Sequence, residues 1–487
     1  AIGYESGYGL TTASQNTIIG YRAARSGVSD IHSAVIIGYE AMYSNTDSSG
    51  NVAIGHFALR QAAGGSSRDY NVAIGQDAMR YGNPHVSVGV GVYTGQFLKD
   101  GAVGAVHIGY EAGRYASGSY NVSMGYNALK GTSSAPYSTG EDNIAIGRQA
   151  LRAFTDGSDN IAIGYQSAYS LTTSNMVIAI GHSAAYSFAG SRGYGVYIGR
   201  NAGYSETGAY NDTMLGNSAG YYQNMGGAGE TFSYNTNLGY RAGYQNVSGR
   251  SNTYVGNEAG FSKTGASNVA VGADALFGGA NEVNSGDANV AVGVTAGAYV
   301  SGDATVHIGS YAGRFASGSN NVSVGYQAGR GSITSAPYST GTNNVAVGYN
   351  ALTAFTTAQA VVAIGSSAGT SVTTGGYHVL IGSGAGQSLT GGNYTTHVGY
   401  RAGRYNTGAY NTSLGTQALL GASGTSTGGN NVAIGYNALT SLTTGNENVV
   451  IGKDAGDAIT AAVANIAIGS IAAGALTTGG DNVVIGY

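Results

Sequence analysis

The sequence has no cysteine, only three prolines in 487 residues, and charged side chains at only 9% of positions. Without cysteine neither a disulfide framework nor a thiolate metal site can form, so stability has to come from burial and backbone hydrogen bonds. An ordinary soluble domain is about 25% charged, and a surface this poor in charge offers little repulsion between copies. Self-association is therefore expected. Twenty Lys and Arg against 24 Asp and Glu leave a net charge of −4, with no basic run anywhere. That excludes the electrostatic footprint of a nucleic-acid or anionic-membrane binder. The most apolar stretch, 461–476, is broken by Asn465 and Ser470, so no membrane insertion is expected. Nothing resembles a signal peptide, and the opening on Ala1 is expected to reflect processing or a segment upstream. Nucleophile elbow, P-loop and HExxH signatures are all missing. GVGVYTG at 89–95 reads as a corner, and Asp156 and Asp159 in TDGSDN lack the nonapeptide calcium pattern and read as a polar turn. No enzyme activity, cofactor or metal is expected from these patterns.

What the chain does have is glycine, 85 residues of it, tyrosine, 38 residues, and a repeat. NVAIG stands at 51–55, 71–75 and 431–435, NIAIG at 143–147, 160–164 and 465–469, and NVAVG at 268–272 and 344–348. The glycine closing each copy, as at Gly55, Gly75, Gly147, Gly164, Gly348 and Gly435, recurs 28 times, mostly 16 to 18 residues apart. Aliphatic residues sit one and three positions before it, with a small residue between them, which is the period-two alternation of a strand with one face buried. Ala recurs three positions after it, at Ala23, Ala58, Ala128, Ala259 and Ala438, followed by Gly or Leu and a Ser/Thr/Gly-rich turn.

A five-residue strand and a turn cannot cover their own apolar face, but stacked copies can. The expectation is an all-β chain, a parallel β-solenoid of about 28 coils with a period near 17 residues, running as one continuous domain over 1–487. At an interstrand spacing of about 4.8 Å such a stack would be on the order of 130 Å long. The aliphatic residues are expected inside, sheltering one another from coil to coil, and Ala and Ser on a flat outer face that favours lateral association. Asn four positions before the anchor, as at Asn51, Asn71, Asn143, Asn160, Asn344 and Asn431, is expected to form a ladder of side-chain amides. Tyr just after it, as at Tyr126, Tyr165, Tyr349 and Tyr436, is expected to stack, as packing rather than as a ligand platform.

A longer period overlies the first. HIGYEAGRYASGSYNVSMG at 107–125 returns as HIGSYAGRFASGSNNVSVG at 307–325, with related blocks starting near 197 and 397. SAPYSTG follows the first and third blocks at 134–140 and 335–341, so two of the three prolines lie in a duplicated insertion. Proline is tolerated at such a corner because it removes no ladder hydrogen bond. Pro136, Tyr137, Pro337 and Tyr338 are the candidate contact loops, with 221–232 a further one. His107, His307 and His397 share one coil position, two before the anchor. If that face met a common axis of three chains, they would form rings of imidazoles able to hold a metal or an anion. Duplication explains the recurrence without a ligand. N-x-S/T sequons occur at Asn121, Asn211, Asn246, Asn321, Asn393 and Asn411.

The N-[VI]-A-[IV]-G unit with Ala three positions on resembles the head repeat of trimeric autotransporter adhesins of the Yersinia-adhesin type. The longer form NVAIGYNAL…TTG at 431–445 is similar to repeats in bacteriophage tail fibres. The resemblance implies a left-handed parallel β-roll, three chains side by side, and the aliphatic residues inside each roll. The expected function is a structural subunit of an extracellular or virion-surface fibre, a homotrimer or lateral bundle that meets surfaces or cell-surface glycans through its corner loops. The alternative is a receptor-binding tail fibre or adhesin module. Ice binding is set aside, because Thr falls at corners as LTT and TTG rather than at fixed strand positions.

Overall fold

The computed structural model describes residues 1–25, 30–45, 47–60, 69–82, 84–99, 101–134, 137–188, 193–205, 211–223, 233–278, 285–331, 338–424 and 426–487. Among them there is no helix. The chain is a parallel β-solenoid of about 25 turns with a period of about 17 residues, and it packs into two compact units, Ala1–Ser248 and Gly249–Tyr487. Each repeat contributes one strand of three residues, shorter than the five expected, because the backbone leaves the extended region at the anchor glycine. Pairing is parallel and in repeat register. In the first unit Ile144–Ile146 lies on Ile161–Ile163, which lies on Ile178–Ile180. In the second, Val432–Ile434 lies on Val449–Ile451, which lies on Ile466–Ile468. Asp30–His32 and Asp47–Ser49 form a separate parallel pair in the first unit.

The two faces of the strand are the reverse of the expectation. Ala53, Ala145, Ala162, Ala270, Ala346 and Ala433, the middle residues, are fully buried. The flanking Val and Ile are only half covered, giving an intermediate–buried–intermediate pattern in strand after strand. The reason is volume. The interior also has to hold the residues three, four and seven positions after the anchor, such as Ala150, Leu151 and Phe154. A lumen already filled by Leu and Phe has room for a methyl group from the strand, and two β-branched chains per coil would overfill it.

Two interior positions trade volume within a coil. A large residue four past the anchor stands with Ala or Ser in the strand middle: Ala145 with Leu151, Ala346 with Leu352, Ala433 with Leu439, Ser413 with Leu419; a small middle residue also stands with a small one, as Ala162 with Ala168 and Ala363 with Gly369. Where the middle residue is large, that position is Gly, as in Tyr197 with Gly203, Tyr254 with Gly260, Leu380 with Gly386 and His397 with Gly403. A Cβ on Gly260 would stand 2.7 Å from the Tyr254 ring, and one on Gly386 2.7 Å from Leu380. Ile36 with Met42 and Ile18 with Ala24, all buried, depart from this rule. The anchor glycine answers a different demand. At Gly164 φ is +133°, and a Cβ would lie 2.5 Å from the carbonyl oxygen of Gly181 in the next coil. Neither the angle nor the approach admits a side chain.

Gly260→Ala is expected to lower stability by about 2–4 kcal/mol, combining overpacking with a left-handed backbone. Tyr254→Ala combined with Gly260→Leu rebuilds the Ala145–Leu151 pairing and is expected to recover most of the thermal midpoint in circular-dichroism melts. A double variant no more stable than Gly260→Leu alone would count against the volume exchange.

Candidate interaction surfaces and buried polar columns

The asparagine column is hydrogen-bonded in runs inside each unit, interrupted where the position holds Ala105, Val177, Gly195 or Val361. Oδ1 of each Asn accepts from the backbone N–H of the Asn one coil on: Asn71 to Asn51 at 2.8 Å, Asn143 to Asn121 at 2.9 Å, Asn160 to Asn143 at 3.0 Å. The same oxygen accepts from the next amide nitrogen, Asn160 Nδ2 to Asn143 Oδ1 at 3.0 Å. Nδ2 also donates across to a turn carbonyl, Asn143 to Gly157 at 2.9 Å and Asn160 to Ser174 at 2.8 Å. Asn344 and Asn431 repeat the pattern in the second unit, donating to Ala358 and Gly445 at 2.8 and 3.0 Å. In these runs each amide joins neighbouring coils and is satisfied without water, whereas the Nδ2 of Asn289 is buried without a hydrogen bond. A second, outer column runs two residues earlier with the opposite sense. There the N–H of the earlier coil donates to the side chain of the later one, as from Ser158 to Asn175 Oδ1 at 2.7 Å and from Asp287 to Asp303 Oδ1 at 2.8 Å.

His107, His307 and His397 lie inside the roll, fully buried. This corrects the ring reading: rings between chains require the imidazoles on an outer face, and the middle strand position points inward. His107 Nδ1 and His397 Nδ1 each stand 2.8 Å from a serine hydroxyl of the next coil, Ser123 and Ser413. His378 occupies an Asn-column position and pairs with Thr395 at 2.7 Å. Burial pushes His107 and His378 down to about 4, and His307 and His397 down to about 3.

Two further buried groups escaped the sequence reading. Asp212 takes an Asn-column position and accepts from Gln223 Nε2 at 2.8 Å, Ser233 Oγ at 2.5 Å and the Asn235 N–H at 2.6 Å. Burial pushes its carboxyl up to about 7 against those three donors. Lys263, in the interior column of Phe154 and Leu171, donates to the Val300 carbonyl at 3.3 Å, and burial lowers it to about 8. The signal for both was a charged residue at a position otherwise filled by Asn or by apolar side chains.

Tyrosines stack in columns. Tyr169, Tyr186, Tyr204 and Tyr221 follow one another at 5.1, 5.0 and 4.8 Å, nearly parallel. Tyr126 stacks on Tyr110 at 5.3 Å and Tyr349 on Tyr326 at 5.5 Å. Tyr165 instead lies tilted against His182 and under Arg148, and Tyr436 is half exposed. Stacking consumes the ring faces and leaves edges outward, so a stacked column is a poor platform for a ligand that binds a ring face. Tyr137 packs on Phe97 and Tyr115, and Tyr338 on Tyr299 and Phe315. Pro136 and Pro337 lie outside the described residues, as do 224–232 of the third loop. Of the sequon asparagines, Asn121, Asn246, Asn321 and Asn411 are buried, closed to glycosylation in the folded chain. The corner threonines, set aside as irregular, do form short columns, but their hydroxyls point along the stack: Thr356 donates to the Thr373 carbonyl at 2.8 Å and Thr373 to Thr390 at 2.9 Å.

The outward side of the strand is an apolar surface. Residues five, three and one before the anchor and one after it all point out, as in Tyr120, Val122, Met124 and Tyr126, or Tyr234, Thr236, Leu238 and Tyr240. Met124 is 46% exposed and Leu238 41%. No helix among the described residues is long and apolar enough to cross a membrane. No known family model matches the chain, and no curated protein matches it in sequence.

Because these four buried histidines are held below the unfolded value near 6.5, their contribution to stability is complete above pH 6.5 and is lost as pH falls toward about 4 for His107 and His378 and about 3 for His307 and His397, at on the order of 1 kcal/mol per pH unit for each. Asp212, raised instead, opposes with one group against four. The melting temperature is expected to drop between pH 7 and 5, and His397→Leu, which copies Leu380 one coil earlier, to flatten that drop. A profile unchanged by His397→Leu would refute the assignment. Asn160→Ala, which orphans the Val177 N–H and the Ser174 carbonyl, is expected to cost about 2–4 kcal/mol in the same melts.

Proposed function

We propose that this chain is the non-enzymatic structural subunit of an extracellular or virion-surface fibre, a β-solenoid shaft that associates with copies of itself through the outward strand face. One observation carries the reading: in each unit the two central outward positions form an uncharged, partly exposed ribbon of Val, Ile, Leu and Thr, edged by positions where tyrosine recurs among polar residues and a few charges such as Asp142, Arg148 and Asp159. The two central positions span roughly 10 Å and a coil rises about 4.8 Å, so each coil adds roughly 50 Å². About twelve consecutive coils equal the largest apolar patch of a typical monomer, about 600 Å². The partner that matches a ribbon repeating every coil is another ribbon with the same repeat. That favours a second and third copy, as a homotrimer or a lateral bundle, over an unrelated globular protein. The association face is thus aliphatic and aromatic, not the Ala and Ser face expected from the sequence.

The second reading, a receptor-binding tail fibre or adhesin module, is favoured by a mixed polar and aromatic groove on the second unit. In both readings the shaft holds a surface at a distance and contact is made at the corners.

Sedimentation velocity is expected to find an oligomer. The triple variant Ile146→Lys, Ile163→Lys, Ile180→Lys places three charges on successive outward positions and is expected to give monomers with an unchanged circular-dichroism spectrum. A wild-type chain that sediments as a monomer, or a triple variant that still assembles, would rule out this interface.

A further inference from the structure

The duplicated blocks allow one part of the chain to be read against another. In the first block the Arg114 guanidinium is fully engaged: Nε donates to Gln96 Oε1 at 2.8 Å, Nη1 pairs with Glu111, and the Tyr93 ring lies 4.7 Å from its centre. The equivalent residue in the other block is Arg314, and there Gln96 has become Ala298, Glu111 has become Tyr311 and Tyr93 has become Thr295. Arg314 has lost all three of those partners. It keeps only the Tyr311 and Phe315 rings, at 5.5 and 4.9 Å, and its Nε is buried without a hydrogen bond.

The space vacated by the Tyr93 phenol and the Gln96 amide is a groove on the second unit, floored by Ala298 and lined by Asp274, Phe277, Thr295, Tyr299 and Arg314. The aromatic column also breaks at this point. Phe261 and Phe277 are stacked, but Tyr299 meets Phe277 edge to face at 79°. Tyr299 then stacks on Phe315 at 5.7 Å and packs against Tyr338 at 5.3 Å, so the column resumes on the far side of the break. Asp274 faces the groove with its carboxyl raised by burial and by the nearby Glu258 charge, and Arg314 acts in the opposite sense. No ion pair joins Asp274 to Arg314.

We propose that this groove is a carbohydrate site for the ring of one neutral pyranose. In the first block a six-membered ring and a carbonyl oxygen fill the same space, so a ring-sized guest carrying an acceptor fits beneath Arg314. A sugar supplies what a bare aromatic ring does not. One hydroxyl accepts from Arg314, a neighbouring hydroxyl donates to Asp274, and the C–H groups of the ring pack against the Phe277 and Tyr299 side chains. The acidic lining disfavours sialic and uronic acids. The assignment rests on the surface-adhesion part of the proposed function, to which it gives a ligand class and a place.

The test uses the intact chain and methyl glycosides of galactose, glucose and mannose, with binding read by saturation-transfer NMR and titration calorimetry. Saturable binding of at least one is expected. Thr295→Tyr with Ala298→Gln restores the side chains that the first block carries, so it is compatible with the fold and is expected to weaken binding at least tenfold with no loss of melting temperature. Asp274→Asn, which preserves shape, is expected to weaken it several-fold. No binding of any of the three glycosides overturns the proposal, as does binding of p-cresol alone. Glycoside binding that the double replacement leaves unchanged places the site elsewhere; it sinks the groove assignment while leaving the adhesion reading standing.

Discussion

The distance between successive coils governs the rest of the molecule. Backbone N–H and C=O groups around the whole coil, not only in the three-residue strands, bond to the coil before or after, as from Gly164 to Ile146 at 2.8 Å, Leu151 to Ser167 at 2.9 Å and Thr155 to Thr172 at 2.8 Å. Those bonds draw the coils to the interstrand spacing. At the anchor column the approach is so close that only glycine fits. A chain that accepts this spacing must fit every side chain into a slab less than 5 Å thick, or let it lie along its equivalents above and below.

That constraint explains why like stacks on like. An Asn amide and a Thr hydroxyl reach backbone groups of the next coil, as Asn160 does at Val177 and Thr356 at Thr373, a Tyr ring stacks on an aromatic neighbour in the same register, and each column satisfies groups that the turns leave open. It also explains the thin interior. Strand middle and corner share one volume, so Tyr254 demands Gly260, and Ala145 permits Leu151. Charge is tolerated inside only where polar partners are supplied, three donors for Asp212 and a carbonyl for Lys263. Where no partner is supplied, as at His307, the group stays neutral.

The same economy shapes the outer surface. Arginines five positions after the anchor lie over aromatic rings and beside carboxylates of their own or a neighbouring coil, as Arg60 pairs with Glu40 and Arg80 with Asp77, each at 2.7 Å, and Arg80 covers Phe57 and Tyr81. Rings and carboxylates engage such guanidiniums, although the Nε of Arg80, like that of Arg314, is buried without a hydrogen bond. Function is therefore to be sought where duplication has left a column incomplete, which is what distinguishes Arg314 from Arg114. The strand face is the exception. Its Val, Ile and Tyr side chains have neighbours along the stack but nothing in front of them.

By itself the sequence determined the repeat, the parallel stacking, the all-β class and the Asn column, because each follows from spacing along the chain and a stack preserves spacing. It did not determine which side of the strand is inside. Alternation is symmetric: Val–Ala–Ile is read equally well with Ala in or with Val and Ile in. The choice depends on how much of the lumen Leu151 and Phe154 already occupy, and that is known only once the corners are folded back over the strand. The groove beside Arg314 was hidden for the same reason. The replacements of Gln96, Tyr93 and Glu111 lie on two successive coils, and only the stack brings them around one guanidinium.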